Sequence, residues 1–169
     1  MRELQIDVSI RTATASSGIP RLKQELRVFQ SLVARRAGTP DLLIILMDAN
    51  DVGPAGRRSE IEGVLDAAVF PTVVIGTPNP CVERWLLADP ASFSTTFGVQ
   101  PIIGAASTRH VWKNRLTSAL ETAGQIVVQG GAEFAEEIIE PMDFYRAGRS
   151  DPTIQVFTDD LRAALRRLA

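Results

Sequence analysis

Leu42–Asp51, LLIILMDAND, is the stretch whose reading decides the fold. Six apolar residues in a row, Leu42 to Met47, lack the alternation of a strand with one wet face. An unbroken run of this kind suits a parallel strand covered by helices on both sides, because neither face meets water. It ends abruptly at Asp48. A second apolar run, Thr72–Ile75 (TVVI), reads as a further strand. Between the two, Gly53, Pro54 and Gly56 predict a loop, and Ile61, Val64, Leu65 and Ala68 predict a helix beginning near Ser59.

Working outward, Leu4, Ile6, Val8 and Ile10 alternate with polar residues, the pattern of a peripheral strand. Thr12–Gly18 is a small, polar connector, and its Ser16-Ser17-Gly18 lacks the spacing of a phosphate-binding loop. Pro20 opens a helix with Leu22, Leu26, Phe29 and Val33 on one face, stopping at Gly38. Downstream, Asn79-Pro80 is expected to cap and start a helix over Cys81–Ala88 that stops at Asp89-Pro90. Val111, Leu116, Ala119 and Leu120 mark a helix over Thr108–Thr122, Ile126–Val128 a short strand, and Gly130–Ile139 a short helix. Asp151 caps Pro152, and Ile154, Phe157, Leu161, Leu165 and Leu168 recur at helical spacing to the end. Strand and helix thus alternate, which predicts one α/β domain over residues 1–169. Its sheet is mostly parallel with helices on both faces, and its C-terminal part is helical.

Composition narrows the function. The 18 basic and 20 acidic residues nearly balance, so no global field draws the chain to nucleic acid, and a local patch has to do so. The single Cys81 excludes an internal disulfide framework, and with the single His110 it is a poor basis for a zinc site or thiol protease. No apolar run approaches the ~20 residues of a membrane span. The start MRELQIDVSI is too polar for a signal-peptide core, so a cytoplasmic setting without membrane contact is expected.

In parallel sheets, sites collect beyond the carboxyl ends of the strands. Asp48, Asn50 and Asp51 stand there, and closely spaced oxygens are what Mg²⁺ requires. Glu83, on the first turn of the helix after Thr72–Ile75, is positioned to face the same crevice. Two plainer readings stand beside these. An aspartate at a strand end also forms turns, and Glu83 also suits an exposed acid paired with Arg84 or Arg57. Arg57, Arg58, Arg84, Arg109, Lys113 and Arg115 are the candidates for a basic rim, while His110 reads as a surface residue.

Three segments together, DLLIILMDAND, PTVVIGTPNPCVERWLLADP and DPTIQVFTDDLRAAL, resemble Toprim-like proteins of the RloB-type, OLD-nuclease-related group. The resemblance spans most of Asp41–Leu168, with Glu83–Asp89 its most specific part. It implies a three-layer Rossmann-like sheet and Mg²⁺-dependent (or Mn²⁺-dependent) processing of phosphodiesters in phage defence or DNA maintenance. By position, Asp48 matches the first aspartate, Asn50 the second and Glu83 the helix glutamate. Asp48 and Glu83 would then be catalytic, Asp48, Asn50 and Asp51 metal ligands, and Arg57, Arg58 and Arg84 contacts to nucleic acid.

There are two departures. Asn50 removes one negative charge, and no Glu-Gly pair precedes the Asp48 strand, so the usual first strand with its glutamate is missing. Either the true start lies upstream or the catalytic acid has been lost. The second case implies a non-catalytic module that binds a partner protein, such as an ATPase. A nucleotide-binding domain that uses the crevice without hydrolysis is the third reading.

Overall fold

The computed structural model describes residues 18–35, 39–106 and 108–168. The expected strand Leu4–Ile10, the connector Thr12–Ser17 and the stop at Gly38 lie outside them. Within them the chain is mixed α/β, with a parallel two-stranded sheet of β1 (Leu43–Leu46) and β2 (Val73–Gly76). Leu43 pairs with Val73 and Leu46 with Gly76. The remaining elements are helices: α1 (Gly18–Arg35), α2 (Gly53–Glu62), α3 (Val82–Leu86), α4 (Pro90–Phe97), α5 (Arg109–Thr122), α6 (Ala135–Ile139), α7 (Phe144–Ser150) and α8 (Pro152–Leu168). No helix among the described residues is long and apolar enough to cross a membrane.

The unalternating β1 and β2 share one covered face, but β1 is not covered on both sides as its composition led one to expect, because Ile44 and Leu46 on its other face are exposed. Ile45 and Ile75 are buried on one face with Leu26 of α1 and Ile61 of α2, flanked by Leu43, Met47, Val64 and Val73. On the other face α8 lies against β2. The absent side chain of Gly76 allows this approach, because an added methyl would collide with Leu46 and stand 3.0 Å from both Phe157 and Trp85. Trp85 packs 5.4 Å from the Phe157 ring and donates its indole N–H to Thr153 Oγ1 at 2.7 Å.

Beyond the sheet, the helices build their own core. Cys81, Leu86 and Leu87 around α3, Phe93 of α4, Trp112, Leu116 and Leu120 of α5, and Ile138 of α6 are all buried together. Each large side chain removed from water here contributes roughly 1.5–3 kcal/mol.

Several elements differ from their sequence expectation for local reasons. Pro54 occupies the first turn of α2, so the helix begins at Gly53 and absorbs the expected Gly/Pro loop before Ser59. Pro80 is preceded by a cis peptide and lies outside α3, which starts at Val82 with Cys81 in the cap position. Asp89-Pro90 ends one helix and at once starts another: Asp89 caps α4, and Pro90 fills its first turn. Gly130 and Gly131 both have positive φ, so the helix expected from Gly130 is a 3-10 turn (Ala132–Phe134) leading into α6. Ile126–Val128 is not a strand. The Glu133 carboxylate takes the N–H groups of Val128, Gln129 and Gly131, leaving Ile126 and Val128 exposed. Helix α7, which has no long apolar stripe, was not foreseen; Asp143 caps it by accepting from Tyr145 and Arg146 N–H.

Asp89 ties this second half together. Its buried carboxylate accepts from Arg146 Nε at 3.1 Å and Nη2 at 3.0 Å, and from Asp143 N at 2.9 Å. Burial alone would raise its pKa, but the Arg146 guanidinium and the Ser92 and Asp143 donors outweigh it and hold the carboxyl at about 2. Because this lies below the unfolded value near 4, the carboxylate stabilises the fold above that pH and loses its contribution as pH falls toward 2. Asp89→Asn is therefore expected to lower Tm at pH 7 and to flatten the acid limb between about pH 4 and 2, as read by thermal melts across pH. Gly76→Val is expected to lower the unfolding free energy by about 1–3 kcal/mol in denaturant titrations, through overpacking against Leu46, Phe157 and Trp85.

Candidate functional site

The strand pairing does not stop where β1 and β2 end. Ala49 N donates to Pro78 O at 2.8 Å and Asn50 N to Pro80 O at 3.0 Å, so the loop after β1 runs beside the segment that leads into α3. Asp48 completes the link: its Oδ1 accepts from Val82 N, in the first turn of α3, at 3.0 Å. The acid after the most apolar strand thus holds the N-terminus of the helix that carries Glu83. Two segments distant in sequence meet at one rim.

Arg57 fastens the same loop from α2. Its side chain is 5% exposed, its Nε donates to Asp48 O at 3.0 Å and its Nη2 to Ala49 O at 3.4 Å, while Nη1 pairs with Glu60 at 2.5 Å. A buried guanidinium with this set of acceptors is a fixture of the loop, because exposing it to a ligand would orphan both carbonyls.

Asp48 and Glu83 are close enough for each charge to be felt by the other. Burial raises the pKa of Asp48; the Val82 N–H bond lowers it, the negative Glu83 raises it again, and Arg109 and Lys113 lower it. The net direction is upward. Glu83 is more deeply placed, with its side chain 8% exposed and Oε2 buried without a hydrogen-bond donor. Helix α5 supplies the counter-charges. Lys113 Nζ stands 3.3 Å from Glu83 Oε1, and Arg109 Nη2 stands 3.9 Å from Asp48 Oδ2. These residues are one helical turn apart and considerably more exposed than the carboxylates, so the acids form the floor of the site and the cations its rim.

Cys81 lies against the acids. Burial, then the hydrogen bond and charge of Glu83, then Asp48, push its thiol up to about 12. A thiol held protonated in this way is no nucleophile.

The sequence candidates fall into three groups. Asp48 and Glu83 come together. Asn50 has φ +48° and uses its backbone N–H on Pro80, and Asp51 is exposed on the 3-10 turn Asn50–Val52. Among the described residues no group of three or more His, Cys, Asp or Glu side chains is placed to hold a metal ion. Arg57, Arg58 and Arg84 have internal partners. Arg58 Nη2 donates to Ile75 O at 3.0 Å and Asp160 at 2.8 Å; Arg84 donates to Asn79 O at 2.8 Å and pairs with Asp151 at 2.9 Å. Of the basic candidates, Arg109 and Lys113 border the acids; their i, i+4 spacing was the available signal. His110 is exposed and lies 3.1 Å from Asn114 Nδ2.

Does the pair fit Mg²⁺? Magnesium keeps several waters and is commonly held by one or two carboxylates with substrate phosphate completing the shell. Two carboxylates with one buried, donor-free oxygen meet that minimum, with Arg109 and Lys113 positioned to shift from the acids to the phosphate.

Comparison with protein-family models, curated proteins and solved structures finds no match.

Two outcomes test the electrostatics. The raised pKa means that ionised Asp48 costs the fold stability above its unfolded pKa, and that the cost vanishes when the group is protonated in both states. Asp48→Asn keeps the acceptor for Val82 and removes the charge. It is expected to melt higher than the parent at pH 7 and to lose that advantage below about pH 4, where the unfolded carboxyl also protonates. Cys81 is expected to stay unreactive toward an aromatic disulfide reagent at pH 8 in the folded protein and to react fully in denaturant.

Proposed function

We propose that the protein is a Toprim-like, Mg²⁺-assisted phosphodiester-processing domain, related to nucleases of phage defence or DNA maintenance and working in the cytoplasm. The observation that carries the reading is the meeting of Asp48 and Glu83 at the carboxyl ends of β1 and β2, with the Arg109 and Lys113 cations at the rim. On this reading the described strands and helices are the centre of a three-layer Rossmann-like sheet.

Asp48 and Glu83 would hold the ion, which polarises a phosphoryl oxygen and activates water when bound. The chain's own groups do the rest. Lys113 and Arg109 neutralise the non-bridging oxygens of the phosphate, and Arg57 keeps the Asp48 carbonyl, and hence its carboxylate, at a fixed distance from α3. Glu83 is the better shielded of the two acids: its Oε1 stands 3.3 Å from Lys113 Nζ, and its Oε2 is buried without a donor.

A second reading has one observation in its favour. Ile44 and Leu46 of β1 are 46% and 54% exposed on one face of the strand, an apolar surface suited to a partner protein, such as an ATPase. In that case the ion pairs with Arg109 and Lys113 are the resting end-state of the acids rather than a loaded site.

Digestion of DNA and RNA substrates with Mg²⁺ or Mn²⁺ separates the two. The catalytic reading expects metal-dependent cleavage that falls at least about 100-fold in Asp48→Ala and in Glu83→Gln. Cleavage no greater than in those variants would leave the binding role alone.

A further inference from the structure

A cleft among the described residues is lined by the sequence neighbours of Glu83 and Lys113 and takes no part in the acid pair. Its volume is about 430 Å³, within the range of small-molecule sites. It is lined by Arg84 and Leu87 on the α3 side, the Ile103–Ala106 loop, Trp112 of α5 and the Ser150–Asp151 corner before α8. Arg84 follows Glu83 directly, and Trp112 precedes Lys113. The same two helices make both pairs: the Arg84 guanidinium lies 5.5 Å from the Trp112 ring centre in the cleft, and Lys113 Nζ 3.3 Å from Glu83 Oε1 in the acid site.

We propose that this cleft receives the base and sugar of a single nucleotide whose phosphate is held by Lys113 and Arg109. The inference rests on the reading of Asp48 and Glu83 as a metal and phosphate site and adds the class of substrate: a mononucleotide or a strand end.

Three features support it. The cleft is built. Trp112 Nε1 donates to Ala106 O at 3.1 Å and Arg115 donates to Gly104 O, so the loop wall is pinned to α5, and the small Ala88, Gly104, Ala105 and Ala106 leave its volume open. Its chemistry suits a heteroaromatic ring. Asp151 is 1% exposed, its Oδ1 is used by Thr153 N and Oγ1, and its Oδ2 is buried without a hydrogen-bond donor. Arg84 Nε stands 2.9 Å from that oxygen as a charge partner without hydrogen-bond alignment. A base offers N–H donors to the carboxylate and ring acceptors to the guanidinium, and its flat faces suit Leu87 and Ile103. Finally, among the described residues Arg57, Arg58, Arg84 and Arg115 have internal acceptors, so of the sequence candidates for a basic rim Arg109 and Lys113, one turn of α5, remain to meet phosphate. Tight binding of duplex DNA draws on several phosphate contacts at once, so two cations fit one phosphate.

Equilibrium binding of adenosine and guanosine 5′-monophosphates in Mg²⁺, followed by calorimetry and tryptophan fluorescence, tests the proposal. Either monophosphate is expected to bind at least about tenfold more tightly than its nucleoside or inorganic phosphate. Its log–log salt dependence is expected to have a slope of roughly −1 to −2. Ala105→Phe, at an exposed position of the cleft wall, is expected to weaken monophosphate binding about tenfold and leave inorganic phosphate unaffected, whereas Lys113→Gln weakens both. A long single strand that binds far more tightly than the monophosphate with a steep salt slope would overturn the inference, as would an Ala105→Phe protein that folds and binds normally. Metal-dependent cleavage without monophosphate binding also overturns it while leaving the catalytic reading intact. Monophosphate binding without cleavage upholds it and removes the catalytic reading.

Discussion

The organisation of the molecule depends on how the chain leaves β1. Past Leu46 the backbone keeps hydrogen bonding to the segment after β2, through Ala49 to Pro78 and Asn50 to Pro80, and the Asp48 carboxylate then takes the Val82 N–H. A buried Arg57 closes the arrangement by donating to the Asp48 and Ala49 carbonyls. Without this clamp α3 has no fixed relation to β1. Glu83, Cys81 and the α5 cations that pack against α3 would lose their common meeting point. A helix as short as α3 has little stability of its own, so its position comes from the bonds at its start and the apolar contacts of Leu86 and Leu87.

The charges follow from the same clamp. Bringing Glu83 toward Asp48 in a half-buried rim is unfavourable, and the opposing effects on Asp48 record this: burial and Glu83 raise its pKa, while Val82, Arg109 and Lys113 lower it without prevailing. Buried like charges of this kind are retained at sites that bind a cation or handle protons more often than at purely structural positions. The contrast with Asp89 is instructive, since there a bidentate guanidinium and two further donors bring the carboxyl down to about 2. Asp89 has all its partners, whereas Glu83 keeps one buried oxygen without a donor and Asp48 holds α3 with its carboxyl still pushed upward.

Much of this was legible in the residues, and what was not has physical causes. The unalternating LLIILM and TVVI runs led to two parallel strands, though β1 keeps Ile44 and Leu46 exposed, and the stripes of α1, α5 and α8 led to their helices. The meeting of Asp48 and Glu83 was readable from the rule that strand ends share an edge. Short elements were not readable. Helix α7 is seven residues with a cap and no stripe, α2 begins six residues before the expected start at Ser59, and Ile126–Val128 has strand composition but its Val128 N–H goes to Glu133. The arginines show the same limit. Arg57, Arg58 and Arg84 lie nearest the acids in sequence, yet each has a carbonyl acceptor supplied by the tertiary fold, while Arg109 and Lys113 arrive from a helix farther along the chain.

The central claim is that Asp48 and Glu83 act together on one divalent ion. A double-mutant cycle on Mn²⁺ affinity, with Asp48→Asn, Glu83→Gln and the pair, measured by calorimetry or electron paramagnetic resonance, tests it most directly. Shared ligation predicts that either single change removes nearly as much affinity as both together. Additive losses, or Mn²⁺ binding indifferent to both substitutions, would contradict it.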